Sequence, residues 1–151
     1  MAGVPTADAD DARRTITADR DGVIRQWGNQ ATEYFGYSAD EALGRKVALI
    51  IPPVLRALHW RGFNRAMESG HLKRPGAVWG VAVHKDGDIV PFLAKLVLTQ
   101  SDSGSVDGVV AVLLRRGSTW LATASRAVLA SLNLTHRLWG ARLPRRHRSA
   151  F

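Results

Sequence analysis

Residues 77–114 read AVWGVAVHKDGDIVPFLAKLVLTQSDSGSVDGVVAVLL, and this stretch decides the fold. Its period is two. From Ile89 to Gln100, Phe92, Ala94, Leu96 and Leu98 alternate with Leu93, Lys95, Val97 and Thr99, so one strand face is wholly apolar and the other mixed. Ala77 to His84 before it is rich in valine and tryptophan, and Val106 to Leu114 after it is again β-prone. The connections are short. Lys85-Asp86-Gly87-Asp88 is a turn and Ser101 to Ser105 a polar loop, which predicts three antiparallel neighbours. Pro91 brings no N–H to a ladder and is expected at an edge or a strand start.

Upstream, strands are expected over Arg14 to Ala18 and Val23 to Trp27, flanking an Asp21-Gly22 hairpin turn. Asn29 offers a helix N-cap, with Ala31, Tyr34 and Phe35 on one face and a stop at Gly36. Ser38 and Glu41 form a capping-box pair, and Gly44 closes that short helix. Val47 to Ile51 is a brief apolar segment ended by Pro52-Pro53. The longer helix follows as PVLRALHWRGFNRAMES, residues 53–69. Leu55, Leu58, Gly62, Phe63 and Ala66 make one apolar face there, and His59 sits inside that stripe. Downstream, Thr119 to Leu134 reads as a terminal helix with Leu121, Ala124, Val128, Leu129 and Leu132 on a loose apolar face. The pattern alone gives an α+β domain with a hairpin and a meander.

A chain of 151 residues, 46% of them apolar, is one domain with a real core. Cysteine is absent, which excludes disulfides, thiolate metal or haem ligation and cysteinyl flavin photochemistry. Neither a secretory signal nor a membrane span is visible, so a cytoplasmic protein is expected. Of the net charge of +8, five units come from Arg137, Arg142, Arg145, Arg146 and Arg148, leaving +3 for the rest. Nucleic acid, an anionic membrane or an acidic partner could use such a tail, but a solvated, disordered end is the expectation. The divisions expected are an arm over residues 1–14, a domain over 15–116, a helix over 117–135 and a basic tail over 136–151.

The order of elements, and the wording DGVIRQWGNQATEYFGYSADEALGR, LIIPPVLRALHWRGFNRAMESG, HKDGDIVPF and VDGVVAVL, resembles a PAS domain over Thr15 to Arg115. The resemblance implies a five-stranded antiparallel sheet with short helices and one longer helix packed on one face, around a pocket. Within that family, the longer helix is similar to the haem-bearing helix of rhizobial oxygen-sensor kinases. Arg56, His59, Phe63 and Arg65 stand at comparable places, with Leu58 where those proteins carry a further arginine. The resemblance implies haem b held by His59 as the iron ligand, with Arg65 facing a propionate and a diatomic gas as ligand. Ala94 and Leu96 would form the distal wall, with Trp79 beside the pocket. The distal arginine of those sensors is missing, since the corresponding stretch reads Val78-Trp79-Gly80.

Two functions are therefore expected in competition. One is a haem-based gas or redox sensor. The other is a cofactor-free PAS interaction module, with or without a small organic ligand. Either would signal through a homodimer or through an output partner on another chain. His71 and His84 lie near turns and are expected in solvent, and Trp27 and Trp60 are expected to pack. No nucleophile motif, phosphate-binding glycine loop or convincing carboxylate pair is visible, so no enzymatic activity is expected.

Overall fold

The computed structural model describes residues 7–140. In chain order these form α1 (Ala7–Arg14), β1 (Thr15–Asp19), β2 (Ile24–Trp27), α2 (Asn29–Phe35), α3 (Ala39–Ala42) and 3₁₀ turns at Val47–Ile50 and Pro53–Leu55. Then come α4 (Arg56–Ser69), β3 (Gly76–Val83), β4 (Ile89–Gln100), β5 (Val106–Arg116) and α5 (Thr119–Gly140). The strands make one five-stranded antiparallel sheet in the order β2-β1-β5-β4-β3. The α+β fold expected from the sequence is the one observed.

The alternation along β4 sets which sheet face is the core. Val90 and Ala94 are buried, as are their direct partners Ala82 on β3 and Leu113 on β5. Direct partners share a face, so these even-numbered positions of β3 and β4 define the inner side. Onto it packs Phe35 of α2, fully buried and edge-on to Phe92 at 5.3 Å between ring centroids. Trp27 closes the same core and donates its indole N–H to the carbonyl of Tyr37 at 2.9 Å.

Local signals explain the connections. The Asp19 carboxylate accepts N–H bonds from Asp21 and Val23 and pairs with Arg25, which locks the β1–β2 turn. The capping box between Ser38 and Glu41 is present in both directions. The edge of β2 is covered by residues 44–47 through Ile24 N–H to Arg45 and Gly44 N–H to Ile24, with a bridge between Val23 and Lys46.

Two expectations need correction, and two others are made sharper. The cap of α2 is Gly28, not Asn29, which is the first helical residue. A Cβ at Gly28 would lie 2.2 Å from the carbonyl oxygen of Arg13, so no capping side chain fits there. The arm before residue 15 is helical from Ala7, with Asp10 paired to Arg14 one turn on and Arg13 reaching Glu33 of α2. The terminal helix runs past Leu134 to Gly140, so residues 136–140 of the expected tail are helical, and the rest of that tail lies outside the described residues. Pro91 takes the second of its two expected places, a strand start, as the third residue of the inner strand β4. Its carbonyl accepts from Gly117 N–H at 2.6 Å. In an antiparallel strand the N–H would point the same way, and there β5 has ended, so no ladder bond is lost.

Candidate functional site

Between the inner sheet face, the 3₁₀ turns and α4 lies a cavity of about 730 Å³, within the range of small-molecule sites. The stripe read from the sequence faces it: Leu55, Leu58, His59, Gly62, Phe63 and Ala66 all line the cavity, and Met67 joins them. That face meets a void and not a packed core, which is why Leu58 is 64% exposed although it belongs to the apolar stripe. Ile16 and Ala18 of β1, Ala94, Leu96 and Leu98 of β4, and Ala111 and Leu113 of β5 supply the opposite wall.

His59 is the one imidazole in this wall. Its ring lies edge-on to Trp60 at 5.2 Å and nearly parallel to Phe63 at 6.1 Å. Its Nδ1 is buried without a hydrogen-bond partner among the described residues. Burial pushes the pKa of the imidazole down from its ordinary value, because the charged form loses water it cannot replace. A neutral, under-bonded imidazole therefore faces an apolar chamber, and such a group is able to donate, accept or ligate a metal.

Five of the six candidate site residues meet at this cavity: His59, Phe63, Trp79, Ala94 and Leu96. Trp79 does so from an unexpected side. It pairs with Leu93, so its ring is on the outer sheet face, 52% exposed, and its strand position borders the cavity at the sheet edge. Arg65 is exposed and outside the lining. Six residues along a helix is about 600°, which leaves it about 120° round from His59, at the margin of the stripe beside Leu58 and turned to solvent. The cations that do line the cavity are Lys73 and Arg74, in the loop after α4, and no carboxylate lines it. Sequence reasoning missed these two, together with Met67, Leu121 and Ser125. The HLKRPG loop gave a usable signal, being a basic pair directly after the histidine-bearing helix.

The other histidines lie elsewhere. His71 is exposed, with Nδ1 2.7 Å from the carbonyl oxygen of Ser69. His84 is half-buried, not solvated as expected, because its ring covers Gly36 and contacts Asp86. Among the described residues no group of three or more His, Asp or Glu is placed to hold a metal, and no helix is long and apolar enough to cross a membrane.

No curated protein matches the chain. Among solved structures, it is similar to a PAS domain from Colwellia psychrerythraea, at 22% identity, covering 72% of this chain and 91% of that one, with a TM-score of 0.57. It is similar to the PAS domain of an HTR-like protein from Haloarcula marismortui, at 15% identity, covering 74% of this chain and 91% of that one, with a TM-score of 0.55. The LOV domain of the blue-light photoreceptor Aureochrome1 in its light state matches at 19% identity, over 80% of this chain and 94% of that one, with a TM-score of 0.55. At such identities the likeness carries the fold alone. The PAS fold family model matches residues 14–116, the stretch that holds the whole sheet and all of the cavity wall except what α5 adds, and the chain belongs to the PAS family.

Proposed function

We propose that this PAS domain, a member of a family of sensory and interaction modules, binds haem b in its cavity through His59 Nε2. The signal would be a diatomic gas (O2, CO or NO) or the redox state of the iron. The observation that carries the reading is His59: a neutral imidazole, held between Trp60 and Phe63, whose buried Nδ1 has no hydrogen-bond partner among the described residues, in a largely apolar wall whose cations are Lys73 and Arg74. Haem would supply an iron with a coordination position open to a small gas. Around it, Phe63 and Trp60 restrict rotation of the imidazole, and Ala94 and Leu96 offer an apolar wall that excludes water. Lys73 and Arg74 are the cations available to carboxylates at the rim, a part the sequence had suggested for Arg65. Output would pass through a homodimer of this chain or a partner on another chain.

One observation favours the second reading, a cofactor-free module with a small organic ligand. A metal-bound histidine usually donates its other ring N–H to a carboxylate, a backbone carbonyl or water, and Nδ1 of His59 has no such partner among the described residues. An organic ligand that donates to the imidazole would suit the same ring.

Titration of the purified chain with hemin separates the two. The haem reading expects a Soret band that His59→Ala abolishes, or restores only with added imidazole, while the far-ultraviolet circular dichroism is unchanged. A wild-type chain that gives no Soret band, or a variant whose band is identical, overturns it.

A further inference from the structure

We infer that the open edge of β3 takes one extended segment of a partner protein, added antiparallel to the strand, apolar along its length and acidic at its C-terminal end. The inference places the output partner proposed above and does not depend on what fills the cavity.

Strand parity shows which main-chain groups are on offer. β3 is the last strand of the sheet and pairs with β4 alone. Pro91 turns its carbonyl to Gly117, on the β5 side, so the directly opposite Val81 turns its own N–H and C=O the other way, to the open edge. These directions alternate along a strand. Ala77 and Trp79 therefore present theirs to the same edge, while Val78, Gly80 and Ala82 bond to β4. Among the described residues no hydrogen bond reaches the open groups of Ala77, Trp79 or Val81. The opposite edge of the sheet is covered by residues 44–47, but β3 carries none of the usual guards. Gly76–Val83 reads GAVWGVAV, with no charge, no proline and an unbroken register against β4. Gly76, Ala77 and Trp79 are exposed.

The ends of the strand set the length and charge of the guest. Cover begins at the far end, where Lys85 N–H donates to the Phe35 carbonyl at 2.9 Å and the Lys85 ammonium pairs with Glu41. The 3₁₀ turn at Val47–Ile50 also approaches β3, but from the inner side, since Ile50 belongs to the core cluster that includes Ala82. The open run is thus one short strand long. At its start stand Lys73 and Arg74, both exposed and in no salt bridge among the described residues. An antiparallel guest ends beside them, so its acidic side chains belong at its C-terminal end. Opposite Trp79, 52% exposed, the guest's side chain lies on the outer face; opposite Gly80 it lies on the inner face, at the cavity that Gly80 and the exposed Leu58 both line. Apolar residues suit both places. A second copy fits less well: pairing over the same run centres on Trp79 and sets Lys73 against Lys85 of the copy, like charge against like.

The test is residue-resolved amide hydrogen exchange on the full chain without hemin, alone and with a synthetic peptide of alternating valine and threonine that ends in two glutamates. In the chain alone, the amides of Ala77, Trp79 and Val81 should exchange at least about tenfold faster than those of Val78, Gly80 and Ala82, and the peptide should slow Trp79 and Val81 by about tenfold or more. Methylating the peptide nitrogens that face β3 should weaken binding about tenfold, whereas methylating the alternate nitrogens should not. Exchanging the two glutamates for lysines should weaken it about fivefold at low salt. Trp79→Pro removes an outward N–H and no ladder bond, so it should lose the peptide with unchanged far-ultraviolet circular dichroism, while Trp79→Ala, which keeps that N–H, should lose less. A chain that takes up the peptide but gives no Soret band with hemin supports this inference and removes the haem reading alone. A peptide that leaves exchange at Trp79 and Val81 unchanged overturns it. So does protection of those amides in the chain alone that grows with its concentration, because the guest is then a second copy.

Discussion

At the scale of single residues, His59 decides what the cavity can do, and its protonation should be visible in stability. Its folded pKa lies below the ordinary histidine value of about 6.5, so between those two pH values the unfolded chain binds a proton that the folded chain does not. Stability linked to this group is complete above about pH 6.5 and falls as the pH drops towards the folded pKa. The slope can reach about 1.4 kcal/mol per pH unit within that window. Lowering the pH from 7.5 to 5.5 should therefore depress the melting temperature more in the wild type than in His59→Leu, and equal depression in the two would show that this imidazole is not the group responsible. The position of His59 was legible in the sequence, because a helical stripe fixes which side of α4 it occupies. The exposure of Arg65 was not legible, since spacing places it about 120° round from His59 and beside Leu58, at the margin of the cavity-facing stripe. The orphaned Nδ1 was not, because a missing hydrogen bond depends on what the rest of the chain brings near.

At the scale of elements, α4 is held against the sheet hairpin by one close approach. Gly22 sits in the β1–β2 turn at φ +76°, and a Cβ there would lie 2.4 Å from the Trp60 ring. Glycine is needed twice over, for the backbone conformation and for the indole that packs on it. Gly22→Ala should cost about 1–3 kcal/mol through the backbone strain alone, with further loss if Trp60 is displaced. Urea unfolding measures it, and a variant within 0.5 kcal/mol of wild type, as is usual for neutral surface changes, would show that the turn and ring adjust freely. The elements themselves were legible wherever one residue type has one use. Alternation gave β4, Asp-Gly gave the turn, and Ser38 with Glu41 gave the capping box. The sequence was silent where a neighbour decides. Gly28 took the cap from Asn29 because the carbonyl of Arg13 crowds it, and Trp79 turned outward because register, not composition, assigns faces.

At the scale of the whole molecule, the sheet has one face covered by α2 to α4, and α5 leaves the end of β5 to meet β4 and the 3₁₀ turn at Pro53–Leu55. Trp120 is 77% exposed, Val128 58% and Leu132 43%, and outer-face positions of the sheet add Trp79 and Val97. Singly, exposed apolar residues are ordinary, but Trp120 and Val128 belong to one helix that continues to Gly140, well past the Arg126–Asp88 pair. Two such helices from symmetry-related copies could bury each other's apolar sides in a self-complementary contact, which is how a twofold dimer forms. The length of α5 matters here. A 22-residue helix spans roughly 33 Å at 1.5 Å per residue, enough to reach well past the sheet that anchors it. The expected outcome is a dimer for the full chain in light scattering, and a monomer for the double variant Val128→Asp and Leu132→Asp with unchanged secondary structure. A wild-type chain that scatters as a monomer refutes the dimer, and a double variant that stays dimeric moves the interface off α5 and onto the outer sheet face around Val97.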